Sequence, residues 1–223
     1  MTSLDGPRIT PLSGRPAESL VVFLHGYGAD GNDLIDIGRA WAPLLPGTAF
    51  VSPHAPEPCA EAPVGRQWFP LASVDPHLLR ERVRAAAPVL DAFIDAELAA
   101  HGLTDDRLAL VGFSQGTMMA LHVGPRRGGG IAGIVGYSGL LAGPEDLQAE
   151  LRHRPPVLLI HGAADPVIPA IALNAAVQAL TAAGFPVESH LRPGLQHGID
   201  QEGLARGAGF VQRVLGASGA GRG

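Results

Sequence analysis

A serine hydroxyl becomes a useful nucleophile only when a base takes its proton and an acid orients that base. One serine of this chain sits in a setting that suits the role. Gly112-Phe113-Ser114-Gln115-Gly116 fits the pattern Gly-x-Ser-x-Gly. The pattern alone is weak in a chain with 30 glycines. Its surroundings add weight. The apolar run Leu108–Phe113 precedes it, and a segment of helical spacing with Met118, Met119 and Leu121 follows. A sharp strand-to-helix turn needs glycines because the backbone is crowded there, and it lifts the serine off the end of the strand. It also puts Ser114 near a helix N-terminus, where free N–H groups favour developing negative charge. The plainer alternative is a Gly-rich turn with an N-capping serine, and the context favours the nucleophile. Ser138, in Gly136-Tyr137-Ser138-Gly139, also follows an apolar run. Its second glycine comes one residue early and no amphipathic helix starts there, so it reads as structural.

The base and the acid are sought on loops after later strands. Asp165 follows the run Val157–Ile160, within His161-Gly162-Ala163-Ala164-Asp165-Pro166. His197 follows the weaker run Val187–Leu191, within Pro193-Gly194-Leu195-Gln196-His197-Gly198. Both fall at the sheet edge that carries Ser114. The chain order serine, acid, histidine is the order of α/β-hydrolases. His161 would place its acid in the wrong order, and His190 lies inside a strand. His101, His122 and His153 lie on or near helices and read as surface or capping residues. No pair of histidines has the H-x-x-x-H spacing of a zinc site, so no metal is expected.

Acyl transfer also needs donors for the oxyanion, each worth about 10²–10³ in rate. The backbone N–H of Gln115, next after the nucleophile, is one candidate. The N–H of Tyr27, in Leu24-His25-Gly26-Tyr27-Gly28, is the other, and His25 is read as only shaping that turn. Trp68 and Val167 are candidate lining of a substrate pocket, with Trp68 and Phe69 equally able simply to cover the sheet. Asp30, Asn32 and Asp33 resemble the start of a calcium loop, but position 41 holds Trp41 where that loop needs Glu, so the reading fails. Cys59 reads as a small apolar residue.

These positions require a scaffold that delivers several loops to one edge. Short apolar runs at Leu20–Leu24, Ala49–Ser52, Leu108–Phe113, Ile131–Tyr137 and Val157–Ile160 lack polar alternation, as strands covered on both faces do. Segments of helical spacing lie between them: Asp33–Trp41, His77–Ala100, Gln115–Val123, Ala170–Ala183 and Gly203–Leu215. Pro88 should kink or split the second. The alternation implies βαβ units and a single α/β domain over 1–223, with a mostly parallel sheet and helices on both faces. Residues 1–18 read as an N-terminal segment, Pro53–Val74 as a long functional loop, and 216–223 as a flexible tail.

Composition closes off other classes. With 223 residues and 46% hydrophobic content, the chain can bury a core. Net charge is −5, and every one of its 16 basic residues is Arg, with no long basic run, so nucleic acid is not an expected partner. A single cysteine excludes an intrachain disulfide framework. The N-terminal residues lack the apolar stretch of a signal peptide, and no window approaches 18 uninterrupted apolar residues. A cytoplasmic protein without integral membrane contact is the expectation.

Taken in order, LHGYGADGND (24–33), PHAPEP (53–58), RQWF (66–69), GFSQG (112–116), GYSG (136–139), HGAADPVIP (161–169) and LQHGI (195–199) resemble the phospholipase/carboxylesterase family of α/β-hydrolases, from about Leu20 to Phe210. The resemblance implies Ser114, Asp165 and His197 as a triad, with the N–H groups of Tyr27 and Gln115 as oxyanion donors and no cofactor. Tyr27 departs from the Leu often found at its position in the family. The Pro-rich loop looks more like the bacterial esterase branch than the thioesterases of lipid-modified proteins. The expected activity is hydrolysis of small-molecule esters with short to medium acyl chains. Thioesterase or lysophospholipase activity, and a non-catalytic binding protein on a hydrolase fold, are the alternatives. A homodimer is allowed by this reading but not required.

Overall fold

The structure, a computed structural model, describes residues 4–59, 61–62, 64–71 and 75–219. A seven-stranded sheet holds β1 (Arg8–Ile9), β2 (Ser19–Leu24), β3 (Thr48–Val51), β6 (Leu108–Phe113), β7 (Gly133–Tyr137), β8 (Val157–Gly162) and β9 (Val187–Arg192). Their spatial order is β1-β3-β2-β6-β7-β8-β9. Only β1 runs antiparallel to its neighbour, with Arg8 opposite Val51. A small antiparallel hairpin, β4 (Glu57–Pro58) and β5 (Arg66–Gln67), rises from the Pro-rich segment. The main helices are α1 (Gly31–Trp41), α2 (Pro76–His101), α3 (Gln115–Val123), the short α4 (Leu147–Glu150), α5 (Ile171–Ala182) and α6 (Gln201–Gly219).

The central strands are apolar throughout because helices cover both faces. Successive side chains point to opposite sides. Leu20, Val22, Leu24, Leu108 and Leu110 pack with Leu79, Leu90 and Ile94 of α2 and with Met118 and Met119 of α3. Val21, Phe23, Ala109 and Val111 face the other way, onto Leu34, Ile35 and Trp41 of α1 and Phe210 and Val211 of α6. β9 breaks the pattern. It is an edge strand with no fully buried residue, which is why its run is weaker in sequence.

Three expectations need correction. Pro88 does not split α2, which continues for 26 residues. Val83, Ala86, Leu90 and Phe93 keep one buried stripe in register across it. Pro88 itself is exposed, so the Arg84 carbonyl that loses its partner faces water. The C-terminal helix runs on to Gly219 rather than ending at Leu215, because Leu215 is buried and its carbonyl accepts from Arg107 at 3.0 Å. Residues 220–223 of the expected tail lie outside the described residues. The N-terminal segment adds an edge strand too short to show periodicity, and residues 1–3 fall outside the description.

Candidate active site

The nucleophile candidate stands where the chain path diverges. From β2 the chain proceeds to β3 on one side, and from β6 to β7 on the other. The loops after β2 and β6 therefore open a crevice at the carboxyl edge of the sheet. Ser114 follows β6 directly with φ 53 and ψ −115, a strained conformation for a residue with a Cβ. The glycine of the next turn lets the bend close. A Cβ on Gly116 would lie 1.8 Å from the Leu24 carbonyl oxygen. Thr117 Oγ1 lies 2.8 Å from the Gly112 oxygen and 2.9 Å from the Tyr137 oxygen, and Ser114 N–H donates to Tyr137 O at 2.9 Å. The turn is thus tied to both β6 and β7.

Asp165 and His197 meet. His197 Nδ1 lies 2.7 Å from Asp165 Oδ2. The other carboxylate oxygen accepts the N–H groups of Val167 at 2.8 Å and Ile168 at 2.9 Å. Burial pushes the Asp165 pKa up, but the His197 hydrogen bond and the Ile168 and Val167 N–H groups outweigh it and hold it below the usual value. Their two loops are laced together: Ala163 N–H donates to Arg192 O and Ala164 N–H to Leu195 O, both at 2.9 Å. Arg192 Nε donates to Asp200 Oδ2 at 2.8 Å and closes the base of the His197 loop. Ser138 Oγ holds the Gly198 carbonyl at 3.3 Å. The contact from Ser114 to His197 is not a hydrogen bond in this structure. Phe113 bridges the gap, its ring centre 5.0 Å from that of His197. In a free enzyme such a bond commonly tightens only with substrate.

The two expected oxyanion donors are both available. Neither the Tyr27 nor the Gln115 N–H donates to an acceptor among the described residues. His25 aims the first. It is fully buried, Nε2 accepts from Ala55 N–H at 3.0 Å, and Nδ1 therefore carries the proton given to Gly26 O at 2.8 Å. In a trans peptide the Tyr27 N–H then points opposite to that carbonyl, away from His25. Burial depresses the His25 pKa to about 4, which keeps this neutral tautomer. On the same loop Gly26 is pressed against Ser114; a Cβ there would lie 3.4 Å from Ser114 Cβ.

The hairpin β4–β5 straps this loop. Gly28 N–H donates to Arg66 O at 3.0 Å, and Arg66 N–H to Ala29 O at 2.8 Å. Gln115 clamps the following residues: its Oε1 accepts from Trp68 N–H at 2.9 Å and its Nε2 donates to Phe69 O at 2.8 Å. Trp68 Nε1 donates to His25 O at 3.0 Å. Trp68 is 1% exposed, so of the two expected pocket residues it backs the His25–Tyr27 loop from the core and leaves no face for an acyl chain. Val167, 50% exposed beside Asp165, remains open to a ligand. Tyr27 is half-buried; the neighbouring Cys59 thiol first, and desolvation second, push its phenol pKa up.

Sequence reasoning missed the clamp by the Gln115 side chain and the bond made by Arg192; for Gln115, a polar residue just after an apolar run was the available signal. His25, read as shaping its turn, orients the Gly26–Tyr27 peptide, and Ser138, read as structural, holds the Gly198 carbonyl. His161 is buried with Nε2 2.9 Å from Ile168 O and 3.4 Å from Asp165 Oδ2, so it shapes the acid's loop. Asp30 caps α1 through the Asn32 N–H at 2.8 Å, which accounts for the polar cluster at 30–33.

Comparison with known proteins identifies the family. A family model described as Phospholipase/Carboxylesterase matches residues 7–215. Esterase YpfH of Escherichia coli strain K12 is 31% identical over 191 residues, covering 85% of this chain and 80% of that protein. Acyl-protein thioesterase 1 of Schizosaccharomyces pombe is 29% identical over 210 residues, covering 88% and 91%. Among solved structures, esterase PE8 superposes with a TM-score of 0.92 at 42% identity, covering 96% of this chain and all of that one. The chain belongs to the phospholipase/carboxylesterase family of α/β-hydrolases.

Proposed function

We propose that the protein is a serine carboxylesterase that hydrolyses short- to medium-chain esters through an acyl-enzyme on Ser114. The observation that carries this is the 2.7 Å Asp165–His197 hydrogen bond on loops adjoining a Ser114 strained at φ 53. Asp165 fixes His197 with its proton on Nδ1, leaving Nε2 to accept the Ser114 proton. Ser114 Oγ attacks the carbonyl carbon, and the N–H groups of Tyr27 and Gln115 receive the oxyanion. His197 returns the proton to the leaving oxygen, and the alcohol departs. Water, activated by the same nitrogen, then releases the acid. The identity to an esterase of known structure supports an ester substrate.

Ser114→Ala should lower p-nitrophenyl acetate turnover by on the order of 10⁴-fold or more. It should also abolish labelling by a fluorophosphonate probe. Undiminished turnover in that variant would defeat the assignment. The thioesterase names of more distant relatives favour a second reading, a thioesterase of long acyl chains. A higher kcat/KM on a palmitoyl thioester than on butyrate esters would select it.

A further inference from the structure

A cleft of about 320 Å³ opens between the first turns of α1 and α6, lined by Asp33, Leu34, Ile37, Phe113, Ile199 and Leu204. That volume is at the lower end of small-molecule sites. Two of its walls belong to the catalytic neighbourhood. Phe113 precedes Ser114 and packs on the His197 ring, and Ile199 lies two residues past His197. With Nδ1 committed to Asp165, the proton returned to the leaving oxygen must come from His197 Nε2. The alcohol part of an ester must therefore leave on the His197 side of the serine, which is the side this cleft occupies. The one ionisable side chain lining it is Asp33. Asp33 has no ion-pair partner among the described residues. Its side chain is exposed at the cleft mouth yet partly desolvated by the cleft wall; that desolvation, and then the charge of Asp30, raise its pKa.

We propose that this cleft is the subsite for the leaving alcohol and that Asp33 makes it select alcohols bearing a positive charge, such as a quaternary or primary ammonium. The proposal rests on the serine-hydrolase reading above. In the acylation step the Ser114 Oγ–carbonyl carbon bond forms and the carbonyl carbon–alkoxy oxygen bond breaks. The serine proton passes through His197 to that oxygen, and the neutral hydroxyl of a cationic alcohol leaves with its ammonium facing Asp33. Leu34, Ile37 and Leu204 contact its carbon atoms.

The test compares two butyrate esters of nearly equal shape, choline butyrate and its uncharged isostere 3,3-dimethylbutyl butyrate. The wild type should favour the choline ester by roughly five-fold in kcat/KM, the scale of one partly screened charge pair. Asp33→Asn should bring that ratio to about one, and Asp33→Lys should invert it. Asp33 is exposed, and the cap of α1 is Asp30, so these variants keep the helix start. A second arm fills the cleft. Ile37→Trp should lower kcat/KM for 3,3-dimethylbutyl butyrate relative to methyl butyrate by about ten-fold. A ratio near one in the wild type, or one unchanged by Asp33→Asn, overturns the charge assignment. An unchanged bulky-to-methyl ratio in Ile37→Trp overturns the location. Both results leave the hydrolase reading standing. Hydrolysis of both esters by Ser114→Ala would instead remove the hydrolase reading, and the subsite with it.

Discussion

Asp165→Asn isolates what the acid contributes, because the structure dictates how the new amide must sit. Asp165 Oδ1 receives two backbone N–H groups, from Val167 and Ile168. Only the amide oxygen of Asn can accept them, so the amide NH₂ is forced to the Oδ2 position. There it faces His197 Nδ1, which in the native protein donates at 2.7 Å. Two donors cannot face each other, so Nδ1 must become the acceptor and the imidazole proton moves to Nε2. His161 does not reverse this choice, since its Nε2 is already engaged by Ile168 O at 2.9 Å and lies 3.4 Å from Oδ2. A histidine in that tautomer cannot take the serine proton. In the serine protease template such a wrong tautomer lowers kcat by about 10⁴, or about 5 kcal/mol of barrier. The fold is hardly touched, because both loop N–H groups keep an acceptor. Asp165→Ala, by contrast, orphans both, at about 1–3 kcal/mol each where buried. The assay pairs steady-state hydrolysis of p-nitrophenyl butyrate with thermal unfolding of the same samples. Asp165→Asn should lose about four decades of kcat and melt close to wild type, whereas Asp165→Ala should lose activity and melt lower. An Asp165→Asn variant within ten-fold of wild-type kcat would refute the tautomer argument.

Acid should weaken the fold through two histidines whose burial, the largest cause in each, lowers their pKa to about 4, His25 and His122. Their unfolded value is about 6.5, so the unfolded chain binds more protons between about pH 6.5 and 4. Stability should fall through that window as pH is lowered, by on the order of 3 kcal/mol per histidine at most; urea unfolding with no pH dependence there would contradict it. Trp68→Phe removes the donor to the buried His25 carbonyl, which costs about 1–3 kcal/mol. It should lower kcat more than it changes KM, because the displaced loop carries the Tyr27 N–H. A variant with reduced melting temperature but native kcat would confine Trp68 to a packing role.

The parallel sheet was legible because its strands are buried on both faces and so appear as uninterrupted apolar runs. β6 and α3 were read to the residue, since the glycines at 112 and 116 punctuate the chain where it bends. Ser114, Asp165 and His197 could be named because each follows a strand that runs toward the same edge. Trp68 was left between two readings, pocket wall or cover of the sheet, for a physical reason: an indole in a Pro-rich loop has the same composition signal whether it lines an opening or fills a core. The clamp by Gln115 and the tautomer of His25 were invisible for another. They depend on which backbone group each side chain meets across about 30 to 47 residues of sequence separation. The hairpin strands β4 and β5 are two residues each, below any periodicity.

The proposed general base hangs from the sheet's outermost ribbon. Among strands β9 pairs with β8 alone; one face of it rests on α5, with Val187 against the core, and its outer side is held by peripheral ion pairs such as Arg213 with Glu188 at 2.6 Å and Arg192 with Asp200. The serine, by contrast, is anchored in the middle of the sheet, between β2 and β7. Warming therefore frays the imidazole's support first, at a free-energy cost below that of global unfolding. Heat inactivation and heat denaturation become separate events, with a temperature interval in which a largely intact molecule has lost turnover and recovers it on cooling. Because those peripheral ion pairs are screened by salt, the interval widens as ionic strength rises.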